Sequence, residues 1–229
     1  MIQDSFSSLL ADIQQICARV GRDPQSVTLV GVTKFADVPA INEAIRAGLL
    51  HIAENKVQLA AEKFPKLDFA GRAVRKHMIG HLQSNKAKDA VLIFDLIQSV
   101  DSLKLAGEIN KRALAVGKVQ DILIQVDIAK EEQKFGLPEE DLEGVLSQVQ
   151  GLANVRVLGF MTMAPLTEDK ERIRSVFRRG KELFERLRGK SLAGERIEMR
   201  YLSMGMSSDY QIALEEGANM VRIGSRIFQ

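Results

Sequence analysis

The sequence has 229 residues, of which 45% are hydrophobic and 27% charged, and its formal net charge is +2. This composition is typical of a globular protein, and the length fits one large α/β domain or two small ones. The small net charge argues against nucleic-acid or membrane binding, and the single cysteine excludes an internal disulfide framework. Because no apolar run reaches transmembrane length and the N-terminus lacks a signal-peptide pattern, we expect a cytoplasmic protein.

The N-terminal segment repeats apolar side chains at helical spacing over residues 2–20. This pattern predicts an amphipathic helix that ends at Gly21. Cys17 falls on the apolar face of the helix, where we interpret it as a small buried hydrophobic side chain rather than a reactive thiol.

A run of β-favouring apolar residues follows at 27–33 and ends in Lys34. The run predicts a strand buried on both faces, with Lys34 at its carboxyl end, where α/β proteins keep their active sites. Partial desolvation there would lower the pKa of the ammonium and free the amine for Schiff-base chemistry. The alternative is an ordinary exposed lysine at a strand end.

The rest of the chain alternates strand and helix patterns. Further strands are predicted at 51–55, 74–80, within 92–100, and at 121–127, 155–161, 199–203 and 220–223. Helices are predicted at 37–48, where Asp37 is the cap, and at 56–63, 101–116, 138–149, 171–190 and 209–216. Eight strands alternating with helices predict a parallel sheet closed into a single (β/α)₈ TIM barrel, an α/β fold occupying 1–229 as one domain.

Too little sequence follows the eighth strand for a full outer helix. Since the two ends of a closed barrel meet, we expect the N-terminal helix to fill this position, between the first and seventh outer helices. A polar loop at 129–137 contains Gly136, and no repeat or low-complexity tract interrupts the alternation.

The carboxyl ends of the predicted strands share one mouth. Candidate residues there include Lys34, Asn55, His81, Met161 and Arg222. Two further stretches, Ser203–Ser208 and Gly224–Ser225, follow the last two strands and offer backbone amides and hydroxyls to an anion. Loops at these places are a recurrent phosphate site in TIM barrels, although glycine and serine also fit plain turns.

A lysine facing a phosphate site across a barrel mouth suggests pyridoxal 5'-phosphate (PLP), held as a Schiff base on Lys34. Arg222 carries only donors, so beside the pyridine nitrogen it would keep that nitrogen unprotonated and restrain carbanion chemistry. A structural arginine paired with a carboxylate at the rim is the alternative.

Two other features have competing interpretations. His77 and His81 are close enough in sequence to suggest a metal pair, but no cysteine or third histidine lies nearby, which disfavours a metal site. His81 is also a candidate general base if it reaches the cofactor, although a packed or helix-capping histidine is favoured. The helix at 171–190 is rich in arginine; interleaved glutamates favour a solvated face over a nucleic-acid patch.

The chain resembles the YggS/PROSC family of pyridoxal-phosphate homeostasis proteins over about residues 6–228. The matching segments are Val32-Thr33-Lys34, Glu54-Asn55-Lys56-Val57-Gln58, the run 77–86 (HMIGHLQSNK), the run 159–165 (GFMTMAP), Ser203-Met204-Gly205-Met206-Ser207 and Val221-Arg222-Ile223-Gly224-Ser225. Any one of these would be weak, whereas several in this order are specific.

The resemblance implies a barrel like the N-terminal domain of alanine racemase, with PLP bound as a Schiff base on Lys34. The cofactor-binding residues that it implies are Lys34, Asn55, Ser203, Gly205, Ser207, Arg222, Gly224 and Ser225, with His81 and Met161 as further candidates. It also implies a monomeric carrier or regulator without a catalytic residue, acting in vitamin B6 and amino-acid homeostasis, with apo forms of PLP-dependent enzymes as candidate recipients.

Several positions depart from the family pattern beside the pocket. Ala53 replaces a glycine, Lys56 and Lys76 replace aromatic residues, Leu59 replaces a glutamate, and Ser225 replaces a threonine. Ser225 keeps the hydroxyl of the threonine, and because these changes lie beside the pocket, we still expect cofactor binding.

Two other functional classes compete with a carrier. A PLP-dependent racemase or decarboxylase would need a second acid–base residue; racemases of this fold take a tyrosine from an additional β domain, and this chain has only Tyr201 and Tyr210. An RNA- or protein-binding barrel is the third class, which the small net charge disfavours where RNA is concerned.

Overall fold

A computed structural model describes residues 1–130, 135–189 and 196–229. Within these residues a closed barrel of eight parallel strands forms, and a short extra strand pairs with the end of one of them. The strands are β1 (Thr28–Val32), β2 (His51–Glu54), β3 (Arg75–Met78), β4 (Leu96–Val100), β5 (Gln120–Asp127), β6 (Leu137–Pro138), β7 (Val155–Met161), β8 (Ile197–Ser203) and β9 (Met220–Ile223).

The barrel closes through the pairing of β1 with β9 and of β4 with β5. All neighbouring strands run parallel, so their carboxyl ends lie at one rim. The predicted TIM barrel is therefore confirmed.

Helices cover the outside of the barrel. They are α1 (Ile2–Arg19), α2 (Val38–Ala47), α3 (Val57–Lys63), α4 (Ala87–Ile93), α5 (Leu103–Ala115), α6 (Leu142–Val149), α7 (Lys170–Gly189), α8 (Tyr210–Glu215) and α9 (Ser225–Phe228). Asp37 caps α2 as predicted, since its carboxylate accepts a hydrogen bond of 2.9 Å from the Ala40 amide. Gly48 ends the same helix at φ +115°, in the left-handed conformation that suits glycine.

Helix α1 occupies the outer position that the sequence analysis assigned to it. It packs against α2 on one side and α8 on the other, and also against the short α9. The Tyr210 hydroxyl donates to Asp12 at 3.1 Å, and Arg19 pairs with Glu215. Cys17 is fully buried on the inner face of α1, as predicted.

One predicted boundary is wrong. Pro138 is extended rather than helical, because Leu137 and Pro138 pair with the end of β5, and α6 begins only at Leu142. The fourth strand, Leu96–Val100, lies within the predicted segment 92–100, whereas α4, over Ala87–Ile93, was not predicted. Residues 131–134 of the predicted polar loop and residue 190 of the predicted helix lie outside the described residues.

The barrel separates two apolar cores. The inner core fills the barrel, and its buried members are Val30, Ala53, Leu96, Leu123, Leu158, Met161 and Met220. The outer core lies between strands and helices and is much larger. In the part of the chain that the structure describes, no helix combines the length and apolar character needed to span a bilayer.

Candidate functional site

A cavity of about 490 Å³ opens at the carboxyl ends of the strands. Its walls come from the segments that follow β1, β2, β3, β7, β8 and β9. Six of the ten candidate residues, all of them described, line this cavity: Lys34, Asn55, Ser207, Arg222, Gly224 and Ser225.

Lys34 lies in a turn two residues after the end of β1. The expected partial desolvation of its ammonium is wrong, because Lys34 is exposed and its Nζ lies 4.9 Å from the centroid of the exposed Phe35 ring. The turn itself is anchored from below, since the buried Thr33 hydroxyl lies 2.8 Å from Oε1 of Glu54. The amine thus combines a fixed backbone with an accessible side chain.

Asn55 lies at the end of β2, on the cavity wall. Its Oδ1 is buried and has no hydrogen-bond partner in the described structure. A buried acceptor of this kind is costly, so it marks a place where a ligand donor would be favourable. Gly80 holds the Asn55 backbone closely, because a Cβ at residue 80 would lie 2.1 Å from the Asn55 carbonyl oxygen.

The two loops predicted to bind phosphate come together at the cavity. The Gly224 amide donates to the Ser207 hydroxyl at 3.2 Å, which joins the segments after β8 and β9. A Cβ at residue 224 would lie 3.2 Å from the Val32 carbonyl oxygen, so glycine permits the close approach to β1. Small residues with an amide and hydroxyls suit a phosphate group.

Arg222 is a buried cation at the cavity. It donates to the Ser203 hydroxyl at 2.7 Å and to the Thr162 carbonyl at 3.1 Å. Burial lowers the pKa of Arg222 to about 10, with the nearby Asp209 carboxylate acting in the opposite direction. The guanidinium therefore remains charged at neutral pH and has only donors to offer a ligand.

Four candidate residues do not belong to the cavity wall. Ser203 is buried beneath Arg222, and Met161 packs in the inner core of the barrel. Gly205 has φ +94°, and a Cβ there would lie 2.5 Å from the Ala213 Cβ, so its role is to shape the loop. His81 faces outward, where it stacks on Phe135 at 3.7 Å between centroids and lies 3.2 Å from Asp101.

Sequence reasoning missed several apolar residues of the cavity, among them Phe35, Ile79 and Phe228. Phe35 is next to Lys34 and Ile79 is next to Gly80 in the sequence. Their position beside residues assigned to the barrel mouth could have identified them as cavity residues. Nothing local marks Phe228, because α9 brings it to the cavity only in the folded barrel.

The metal alternative has no support among the described residues, where no group of three metal-ligating side chains occurs. His77 is instead fully buried between His51 and Gln98, at 2.9 Å from each. Burial holds the pKa of His77 well below its usual range, and the neighbouring His51 and Arg75 act in the same direction. His77 is therefore a packed histidine, whereas His81 is exposed.

The arginine-rich helix α7 forms ion pairs with the protein itself. Arg174 bridges Glu215 and Glu216 at 2.7 and 2.8 Å, and Arg179 lies 2.7 Å from Glu139. These pairs neutralise much of the exposed charge, which agrees with a solvated face rather than a nucleic-acid patch.

Comparison with known proteins identifies relatives along the whole chain. Residues 7–229 match the family described as alanine racemase, N-terminal domain. The "Pyridoxal phosphate homeostasis protein" of Aquifex aeolicus is 38% identical over 98% of this chain and 96% of its own length. The protein of the same name from Escherichia coli K12 is 34% identical over 99% of this chain and 95% of its own length.

Solved structures agree with the fold. PipY of Synechococcus elongatus with PLP bound superposes with a TM-score of 0.85 at 34% identity, with all of both chains covered. An alanine racemase of Clostridium difficile shares the fold with a TM-score of 0.73 at 16% identity, and this chain covers 59% of its length. The chain therefore belongs to the pyridoxal phosphate homeostasis proteins, a family built on the alanine racemase N-terminal domain.

Proposed function

We propose that this chain binds PLP at the barrel mouth and acts in vitamin B6 and amino-acid homeostasis as a carrier or regulator. The observation that carries the proposal is the meeting of Lys34, Arg222 and the Ser207–Gly224 contact in one cavity of about 490 Å³. The PLP-bound structure of PipY, whose sequence aligns along the full chain, supports the same ligand.

The residues present fit PLP chemically. The amine of Lys34 is accessible, the buried Oδ1 of Asn55 lacks a donor, and Arg222 supplies a permanent cation. Bound there, PLP supplies an aldehyde whose carbon forms a bond to Nζ of Lys34 while water leaves, giving a Schiff base.

Each side chain has a role in this proposal. Ser207, Gly224 and Ser225 hold the phosphate, and Gly205 shapes the loop that presents Ser207. Arg222 faces the pyridine nitrogen, supported from beneath by Ser203. Because the guanidinium has no acceptor, it keeps the ring nitrogen unprotonated, and the ring is then a weak sink for carbanion electrons. His81 and Met161 lie outside this set.

We propose a non-catalytic protein rather than a racemase or decarboxylase. Racemisation needs an acid–base group on each face of the substrate. Tyr210 is buried against Asp12 on α1, and burial raises the pKa of its hydroxyl. Tyr201 packs against the inner core of the barrel. Because neither tyrosine has access to the cavity from these positions, neither can serve as the second acid–base group. This supports a carrier rather than a racemase.

The proposal also covers the domain organisation, oligomeric state, location and partners of the protein. One PLP-binding domain spans 1–229, it acts as a monomer in the cytoplasm, and apo forms of PLP-dependent enzymes receive the cofactor. The closed barrel supports the monomer, because it leaves no unpaired edge along the ring of eight described strands.

The test separates a carrier from an enzyme. PLP-loaded protein is mixed with an apo PLP-dependent enzyme in the presence of a phosphatase that destroys free PLP, and recovery of activity is compared with that from free PLP. A carrier restores activity under these conditions while the optical rotation of added L-alanine stays constant. Loss of optical rotation at enzyme-like rates would overturn the carrier in favour of a racemase.

A further inference from the structure

A line of buried polar side chains crosses the barrel from the cavity to the opposite end. Arg222 Nη1 donates to Ser203 Oγ at 2.7 Å, and Ser203 Oγ donates to Gln98 Oε1 at 2.7 Å. Gln98 Nε2 lies 2.9 Å from His77 Nδ1, and His77 Nε2 lies 2.9 Å from His51 Nδ1. The line thus joins Arg222, which lines the cavity, to His51 at the start of β2.

The surroundings of this line are apolar. Ser203, Gln98 and His77 have no exposed surface, and the inner core around them consists of aliphatic side chains and methionine. Burying polar groups in such a place is costly unless every donor and acceptor is satisfied. The line must therefore be satisfied at every link, which restricts the arrangement of its protons.

The positions of the protons follow from Arg222, one link at a time, toward His51. Arginine can only donate, so Ser203 Oγ accepts from Arg222 and its own hydroxyl donates to Gln98. The amide of Gln98 then presents Nε2–H to His77, whose Nδ1 must accept. His77 consequently carries its proton on Nε2 and donates it to Nδ1 of His51.

The opposite orientation of Gln98 is disfavoured by Ser203. A flipped amide would place Nε2–H against Ser203 Oγ, which already accepts from Arg222. Among the hydrogen bonds of the described residues, Ser203 Oγ has no acceptor other than Gln98 for its own proton. Burial also holds the pKa of His77 well below its usual range and lowers the pKa of His51 to about 4, so both rings are neutral, as the line requires.

From this arrangement we infer that Gln98, His77 and His51 are positioning residues that hold the Arg222 guanidinium through Ser203. The fixed direction of the line leaves Ser203 as an acceptor toward Arg222 and prevents rotation of its hydroxyl toward the cavity. The effect on bound PLP rests on the proposed function, whereas the orientation of Arg222 and the proton positions do not.

Nitrogen-15 NMR of the unloaded protein tests the proton positions, since the sequence contains only three histidines. His77 is expected as the neutral Nε2–H tautomer throughout the range from pH 6 to 8. Slowly exchanging guanidinium protons are expected for Arg222, assigned by their loss in Arg222→Lys. A protonated His77 near neutral pH, or an Nδ1–H tautomer, would overturn the inference.

Two substitutions at one position separate positioning from packing. Gln98→Met removes the acceptor of the Ser203 proton at similar volume, so the Arg222 protons should exchange faster. In Gln98→Glu the carboxylate still accepts from Ser203, so Arg222 stays protected, while His77 switches to the Nδ1–H tautomer. Gln120→Met is the matched control, because Gln120 is equally buried but bonds to Asp95 and Asp121 carbonyls instead.

PLP binding supplies the second readout. Gln98→Met should raise the dissociation constant for PLP about tenfold, the loss of affinity expected for one hydrogen bond. It should also shift the absorbance band of the Schiff base. Gln98→Glu and Gln120→Met should keep the wild-type band. Equal exchange rates of the Arg222 guanidinium protons in the wild type and the three variants would overturn the positioning role of Gln98. Failure of the wild-type protein to bind PLP would instead overturn the proposed function and leave the NMR result to decide the inference.

Discussion

The Nζ of Lys63 lies 3.0 Å from Oε1 of Glu54, a carboxylate without exposed surface at the end of β2. The same ammonium contacts the Thr33 carbonyl at 2.9 Å and the Lys34 carbonyl at 3.4 Å. One side chain on α3 therefore neutralises a buried charge and also holds the turn that carries Lys34. Lys63 therefore ties the turn that carries the accessible Lys34 amine to α3 and to β2.

Lys63→Met should strongly destabilise the protein, because it leaves the Glu54 carboxylate buried without its counter-charge. The expected loss in the free energy of unfolding is about 3 to 5 kcal/mol, measured by urea denaturation. Lys66→Met is the control, since the Lys66–Glu62 pair is exposed at 60% and 68%, and its loss should be about 1 kcal/mol or less. Similar losses for both variants would contradict the buried ion pair.

Gly80→Ala should distort the cavity at Asn55, because the new Cβ would meet the Asn55 carbonyl oxygen at 2.1 Å. We expect a loss of about 1 to 3 kcal/mol in unfolding free energy together with weaker PLP binding. Gly107→Ala serves as a comparison, since Gly107 lies within α5 with open space around it, and it should stabilise the protein by about 0.5 to 1 kcal/mol. An unaffected Gly80→Ala variant would show that β3 and Asn55 can separate freely.

The pH dependence of stability should carry a signature of His51. Burial, with a smaller effect of Arg75, lowers the pKa of folded His51 from 6.5 to about 4. Between these values the unfolded chain binds more protons than the folded one, so stability falls as the pH falls from 6.5 toward 4. His51→Gln, whose amide oxygen can accept from His77, should flatten this slope. Identical slopes in urea denaturation of the two proteins would exclude a neutral folded His51.

The barrel could be predicted from the sequence because the signals for its strands and helices are local. The apolar run before Lys34, the Asp37 cap and Gly48 each act within a few residues, and they give a strand and a helix in the predicted order. Parallel strands place their carboxyl ends together, so Lys34 and Arg222 could be assigned to one mouth without knowledge of distances.

Other features depend on contacts between distant residues. The partners of Gln98 are 21 residues away at His77 and 105 residues away at Ser203, and no periodicity marks such a pairing. Helix α6 begins later than predicted because Pro138, the predicted first residue, pairs with Asp127 and is held in an extended strand by this tertiary contact. The expected desolvation of Lys34 failed for a similar reason: the turn carries its side chain beyond the strand end into solvent.

The central claim is a Schiff base between PLP and Lys34, and borohydride reduction followed by peptide mass mapping tests it most directly. Protein incubated with PLP and reduced should carry one stable adduct on Lys34. Lys34→Ala should lose this adduct, while Lys56→Ala, at the other side of Asn55, should retain it. An adduct spread over surface lysines, or one that persists in Lys34→Ala, would contradict the assignment of the barrel mouth as the PLP site.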